Sequence, residues 1–339
     1  MRRGGGAYAP LATLAASAAF GLGAGLAAGR GGPPTRAVLV TGGSRGFGLL
    51  LAHEYLRRGA RVAICARDAA ELERAKEQLD GRGAVLALPC DVREEESVAD
   101  TVAAAVQHFG VLDTVVHNAG VIQVGPAEHM TLADFEDALR VHLFGALHLV
   151  KAALPHLLRA RRGRIMTVAS IGGLVPIPHL LPYAASKAAL VAWSEGLRAE
   201  LAGSRVSVTT VCPALMRTGS PRHARFKGRH RAEHAWFSVG DSLPGLSIAA
   251  ERAARRAVQA AELGRARIVF PRLANLVVAA HGVAPGVTLG FLGGVDRLLP
   301  APGGIGAESR SGAESASAWS PSWITALSER AAARNNELP

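Results

Sequence analysis

Aromatic side chains make up only 5% of these 339 residues, and lysine is scarce beside arginine. That bias accords with GC-rich coding rather than with a function. The formal charge of +11 comes without zinc-finger spacing, an aromatic RNA-binding motif or a basic amphipathic helix, so no nucleic-acid partner is expected. The excess suits a membrane surface, phosphorylated ligands or plain solubility. Cysteine is limited to Cys65, Cys90 and Cys212, each in or at the end of an apolar strand-like run. None has the spacing of a redox pair or a metal site, so no metal is expected, and buried reduced thiols fit a cytoplasmic, reducing compartment. No repeat of solenoid or propeller period is present.

A hydrophobic fraction of 49% is enough for one large α/β core with appendages. Residues 7–29 carry no charge and follow Arg2 and Arg3. Their length matches the roughly 20 residues that cross a bilayer. Ten of the 23 are alanine and four are glycine, so the run is only weakly hydrophobic. It reads as a membrane anchor, a signal peptide or an Ala/Gly leader. Anchor or leader ranks above export, which places the chain in the cytoplasm or on the cytoplasmic face of a membrane.

From residue 36, short apolar runs alternate with amphipathic stretches. Strands are expected at 37–41, 61–66, 84–88, 112–117, 164–169, 206–212 and 267–270, with helices near 47–58, 69–79, 94–108, 131–160, 183–202 and 248–263. Runs apolar on both faces and separated by helices predict βαβ units in a doubly wound Rossmann fold with a mainly parallel, seven-stranded sheet. The expected organisation is a leader over 1–34, a core domain over 35–272 containing a long, basic, His-rich connection at 214–247, an apolar extension over 273–300, and a Ser/Ala/Gly/Pro-rich mobile tail over 301–339.

The first strand runs into Thr41-Gly42-Gly43-Ser44-Arg45-Gly46-Phe47-Gly48 and then a helix. A helix N-terminus offers unpaired N–H groups to a pyrophosphate. Gly42 permits the tight turn, Gly46 lets backbone approach the phosphates, and Gly48 lets helix and strand pack closely. This TGxxxGxG pattern resembles the classical short-chain dehydrogenase/reductase family, and fits less well the GxGxxG of medium-chain dehydrogenases or the TGxxGxxG of the extended branch. Tyr183 and Lys187, in Y-A-A-S-K, lie four apart on one helical face, and Ser170 ends a strand thirteen residues before Tyr183. These match the family's Ser…Tyr-x-x-x-Lys set. Asp91-Val92 and Asn118-Ala119-Gly120 resemble its adenine-contacting turn and NAG motif; Pro213 and Thr218 match its carboxamide-side segment.

The resemblance implies hydride transfer between a nicotinamide cofactor and a carbonyl or alcohol. The proton donor would be Tyr183, Ser170 would hold the substrate oxygen, and Lys187 would bond the nicotinamide ribose. Ionising a free tyrosine at neutrality costs about 4 kcal/mol. An ammonium about 4 Å away supplies roughly 4 kcal/mol at an effective dielectric of 20, so Lys187 is expected to activate Tyr183. The second strand ends in Cys65-Ala66-Arg67, with no acid for a ribose 2′-OH, and Arg45 adds a second cation, so NADP is expected over NAD.

Two departures stand out. His142 occupies the place of the family's usual asparagine; it reads either as a member of a proton relay or as a helix-packing residue. Ala214 replaces the glycine usual after Pro213. The family builds its substrate lid in the segment 214–247; here Arg217, Arg222, Arg225, Lys227, Arg229 and Arg231 could meet an acidic or carrier-bound substrate and Trp236, Phe237 and Leu243 could line a pocket, or the segment is a solvated loop with a hydrophobic anchor. The apolar runs 7–29 and 273–299 favour a hydrophobic or lipid-like carbonyl substrate and membrane association. A homo-oligomer through the helices at 131–160 and 183–202 is implied by the family. Rival readings are a catalytically silent NADP-binding scaffold or sensor, and a membrane-anchored interaction protein.

Overall fold

The computed structural model describes residues 35–160, 162–242, 247–317 and 325–338. The expected leader or anchor at 7–29 lies outside the described residues, as does Leu243. Seven parallel strands build the main sheet: β1 (Ala37–Thr41), β2 (Arg61–Ala66), β3 (Val85–Pro89), β4 (Thr114–His117), β5 (Gly163–Val168), β6 (Val206–Pro213) and β7 (Arg267–Phe270). Their order is β7-β6-β5-β4-β1-β2-β3, so the chain reverses direction across the sheet between β1 and β4. Such a switch point is where an open α/β sheet binds ligands.

Alternation along each strand sends side chains into two layers. Val38, Val40, Val62 and Ile64 pack with α1 (Gly46–Arg57), α2 (Ala69–Leu79) and α8 (Ala250–Glu262). Ala37, Leu39 and Ala63 pack on the other face with α3 (Glu95–Phe109) and α5 (Gly145–Arg159), and α6 (Leu181–Glu200) runs beside β6. Both faces of the sheet are therefore covered, which is why its strands read as unbroken apolar runs.

The helix expected over 131–160 is in fact interrupted. A capping box of Thr131 and Asp134 starts α4 (Leu132–Leu139), and a π-helical turn at Arg140–Phe144 joins it to α5. Among the described residues, Leu132–Arg159 is the one helical stretch long and apolar enough to cross a membrane. Its α5 half buries Leu149, Ala153 and Leu157 in the core, which accounts for the apolarity.

The long connection carries more order than expected. It holds α7 (His230–Ser242) and a short strand, Arg225–Phe226, that pairs with Gln123–Val124 and Arg310–Ser311. The apolar extension forms two helices, α9 (Ala274–Val283) and α10 (Pro285–Asp296). The expected mobile tail is corrected for its described residues. Here α11 (Ala326–Arg334) packs Ala331 and Ala332 inward, and Asn335, Asn336 and Glu337 are buried. A composition poor in large apolar residues reads as disorder. Alanine, however, is the strongest helix former, and its small side chain permits the close approach of Ala332 to Gly219.

Candidate active site

At the switch point, the turn from β1 to α1 is pinned from the next strand. Asn118 Nδ2 donates to Thr41 O at 3.2 Å and Gly42 O at 3.0 Å, while Thr41 Oγ1 accepts from the Asn118 and Ala119 amides at 3.1 and 3.2 Å. Gly42 has φ +62°, and a Cβ on Gly48 would stand 2.0 Å from Gly42 O. Side chains there would force the loop off the helix end.

A groove of about 770 Å³ runs past this loop, large enough for a dinucleotide. Its walls include Gly42, Ser44, Arg45, Gly46 and Phe47 from the loop, Arg67 beyond β2, Asp91 and Val92 beyond β3, and Asn118, Ala119 and Gly120 beyond β4. Tyr183, Lys187, Pro213 and Thr218 close the far end. The residues present thus fit a nicotinamide dinucleotide, with α1 supplying the phosphate-facing helix end. Gly48 and His142 lie outside the lining.

Two carboxylates that the sequence reasoning missed stand on the loop. Glu71 pairs with Arg45 and accepts from Ser44 Oγ at 3.1 Å; Asp68, capping α2 by accepting from the Glu71 amide at 2.9 Å, sets its position. The strand-end rule for cofactor choice looks at Arg67 and passes over a carboxylate one helical turn later. Glu337 lies 3.6 Å from Arg45 Nε, far too distant in sequence to be anticipated.

The groove opens beside a second cavity of about 370 Å³ whose walls are mostly apolar, among them Ile122, Ile177, Leu180, Leu215, Phe237 and Val277. Tyr183, Pro213, Met216 and Thr218 belong to both spaces. Ser170, just past β5, also faces the second; its Oγ accepts from Gly172 N at 3.0 Å and donates to Pro213 O at 3.5 Å, with the Tyr183 hydroxyl nearby. Burial pushes the Tyr183 hydroxyl above its ordinary value, and the Ser170 contact pulls it part of the way back. Lys187, 3% exposed, lies one turn along α6 and donates to Val168 O at 2.8 Å; burial brings its ammonium down to about 7. In this arrangement burial, rather than the lysine charge, governs the tyrosine. The expected downward shift is not what the structure shows.

His142 projects from the π turn into the interior and is fully buried. Its Nε2 accepts from Val121 N at 3.1 Å. Ser186 Oγ donates to Pro182 O at 2.8 Å, which leaves it to accept from His142 Nδ1 at 2.7 Å. Both ring nitrogens are committed, in the Nδ1–H tautomer, and burial with the Lys187 and His117 charges holds the ring well below the ordinary histidine range. The ring packs edge-on to Tyr183 with centroids 5.6 Å apart. These contacts fit the packing reading of His142, and the ring does not line the groove.

Asp241 from α7 also lines the apolar cavity, accepts from Ser328 Oγ at 3.1 Å, and is pushed up to about 7 by burial. The cations of the connection do not face that cavity. Arg217 bonds Ser247, Arg222 pairs with Glu329, and Lys227 pairs with Asp134.

Comparison with known proteins agrees with this geometry. The family described as short chain dehydrogenase matches residues 36–227. The chain is 33% identical over 189 residues to dehydrogenase/reductase SDR family protein 7-like of Anopheles gambiae, covering 54% of this chain and 60% of that protein. It is 36% identical over 187 residues to 11-beta-hydroxysteroid dehydrogenase-like 3 of Arabidopsis thaliana, with the same coverages of 54% and 60%. The chain thus spans about three fifths of the length of these curated relatives. Among solved structures, a short-chain dehydrogenase from Streptomyces avermitilis superposes with a TM-score of 0.66 at 26% identity, covering 78% of this chain and 98% of its own. With more than half the chain matched, and with the loop, the parallel sheet and the Ser170–Tyr183–Lys187 cluster in one place, the protein belongs to the classical short-chain dehydrogenase/reductase family.

Proposed function

We propose that the protein is an NADP-dependent oxidoreductase interconverting a carbonyl and an alcohol on a hydrophobic, lipid-like substrate. The observation that carries this reading is the meeting of two spaces at one tyrosine: a polar groove on a glycine loop and an apolar cavity share Tyr183. Arg45 and Arg67, both in the groove wall, would face a 2′-phosphate. The bound nicotinamide would supply or accept hydride at the substrate carbon.

The chain's own residues handle the proton. Tyr183, kept protonated by burial, gives its hydroxyl proton to the carbonyl oxygen during reduction. Ser170 donates to the same oxygen as charge develops there. Lys187, buried one turn away, supplies positive charge beside the phenolate that remains. The apolar walls exclude water and select a substrate rich in hydrocarbon. The name of the hydroxysteroid dehydrogenase-like relative accords with such a substrate class.

Membrane contact belongs to the same reading. Leu276, Val283, Val287, Phe291 and Leu298 are exposed on or beside α9 and α10, whereas Leu273 and Val277 reach the cavity wall. An apolar path therefore joins the outer surface to the cavity, and Arg272 and Arg297 flank it. We place this face on the cytoplasmic side of a membrane, where cofactor is available. Exposed Phe144 and Leu158 on and beside α5 suit a homo-oligomer face.

The test is consumption of NADPH, and separately of NADH, against lipid-like and small carbonyls, with Tyr183→Phe in parallel. Turnover preferring NADPH and lost in the variant supports the proposal. Turnover unchanged in the variant overturns the catalytic assignment, and binding of NADPH with no turnover on any carbonyl favours the silent scaffold. Replacing Phe291 and Leu276 by Ser should release the protein from sedimenting anionic phospholipid vesicles; unchanged sedimentation removes α9 and α10 as the contact.

A further inference from the structure

The phosphate loop already has an occupant. Gly46, the first residue of α1, donates its amide to Asn335 O at 2.8 Å. Asn336, at φ +56°, donates through Nδ2 to Ser44 O at 2.8 Å and Glu71 O at 3.0 Å, while Arg74 Nε donates to Asn336 Oδ1 at 3.2 Å. The Glu337 carboxylate, 3% exposed, lies against Gly46, with Oε1 2.5 Å from where a Cβ would stand. Its other oxygen is 3.1 Å from His223 Nε2 and 3.6 Å from Arg45 Nε.

The segment is held there from behind. Asn335 Nδ2 donates to Thr218 O at 3.0 Å, and α11 is tied down by Arg222–Glu329 at 3.3 Å and by Ser328 Oγ on Asp241. The anion is nevertheless imperfectly served. Glu337 Oε2 is buried between Arg45 and His223 without a hydrogen bond of good geometry. A buried acceptor left so is destabilising, whereas phosphate oxygens can take several donors at a helix end.

We propose that residues 335–337 form an internal competitor for the phosphate subsite, with the Glu337 carboxylate standing where a dinucleotide phosphate binds, so that cofactor enters only by displacing the segment. This rests on the dinucleotide reading above. It adds a gate on cofactor occupancy that the loop motif alone does not contain.

The experiment titrates NADPH and NADH by fluorescence into the full chain, a chain lacking residues 335–339, and the full-length Glu337→Gln variant. A subsite closed nine-tenths of the time or more raises the apparent Kd about tenfold or more, so the deletion should tighten both dinucleotides by that factor. Glu337→Gln should tighten them less. In the full chain, hydrogen exchange of the amides at 335–338 should rise when NADPH is added. Equal or weaker binding after deletion overturns the proposal. So does slower exchange with NADPH, because the segment would then close over the cofactor. If neither dinucleotide binds any of the three proteins, the cofactor reading itself fails; if they bind with equal Kd, only the gate fails.

Discussion

Replacing Asp241 by Asn removes a carboxyl that the fold buries against an apolar cavity, and the consequence for stability can be given a sign and a size. Burial dominates its environment and pushes it up to about 7, against an ordinary 3.8; Ser328, Arg217 and the Met216 amide pull the other way and lose. The folded state thus holds the proton more tightly than the unfolded chain. The stabilisation is fully present below the unfolded value and is lost as pH rises toward the folded one. The full difference of roughly three units corresponds to about 4 kcal/mol, of which about 2–3 kcal/mol falls between pH 5 and pH 8. Asn has nearly the shape of the protonated acid and does not titrate. Asp241→Asn should therefore match the wild type near pH 4 and exceed it by up to about 4 kcal/mol at pH 8. The measurement is guanidinium unfolding of both proteins at several pH values, reported as the difference between them. Lys187, brought down to about 7, contributes the opposite slope above pH 7, but it is common to both proteins and drops out. A difference that does not grow with pH, or that favours the wild type at pH 8, would refute the reasoning.

Tyr183→Phe should lower turnover by about 10²–10⁴ while leaving NADPH binding intact, read from initial rates and from fluorescence titration. Glu71→Gln frees Arg45 for a 2′-phosphate; a partly buried pair, its side chains 32% and 16% exposed, is worth about 1 kcal/mol, so NADPH should tighten about fivefold relative to NADH in paired titrations. Loss of NADPH affinity instead would assign Glu71 a supporting role. His142→Ala strips the acceptor from the Val121 amide and the donor from Ser186, which should cost about 2–4 kcal/mol in denaturant unfolding. His142→Asn should leave the pH profile of kcat in place, because a neutral, fully bonded ring carries no titration into it.

What could be read in advance was whatever is written in neighbouring residues. The seven strands announced themselves because burial on both faces forces consecutive apolar residues, and each predicted end lies within two residues of its observed place. The loop from Gly42 to Gly48 was legible for a related reason: backbone crowding at Gly48 and the left-handed φ of Gly42 leave no choice of residue. Ser170, Tyr183 and Lys187 were picked out by their resemblance to the family's Ser…Tyr-x-x-x-Lys set, and the fold places Ser170 and Tyr183 on the wall of one cavity with Lys187 one turn along α6. The break at Arg140–Phe144 was hidden because a π turn keeps the helical pattern of apolar residues on both sides of it.

The charges around Arg45 escaped for a different reason, and it bears on how cofactor choice should be judged. A cation in the glycine loop and another after β2 argue for a 2′-phosphate only if nothing else has claimed them. Here Glu71 reaches Arg45 from the first turn of α2, and Glu337 reaches it from across the molecule, a contact joining positions 292 residues apart. Two carboxylates leave the loop far less cationic than its sequence suggests. Any phosphate that binds must therefore exchange existing ion pairs rather than meet a bare guanidinium, and the net gain is set by how badly those pairs are satisfied. Glu71 has good donors in Arg45 and Ser44, whereas the Glu337 Oε2 lacks one. The weaker partner should yield first, so the affinity gained on deleting residues 335–339 and that gained on Glu71→Gln should be separable, the first common to both dinucleotides and the second confined to the phosphorylated one.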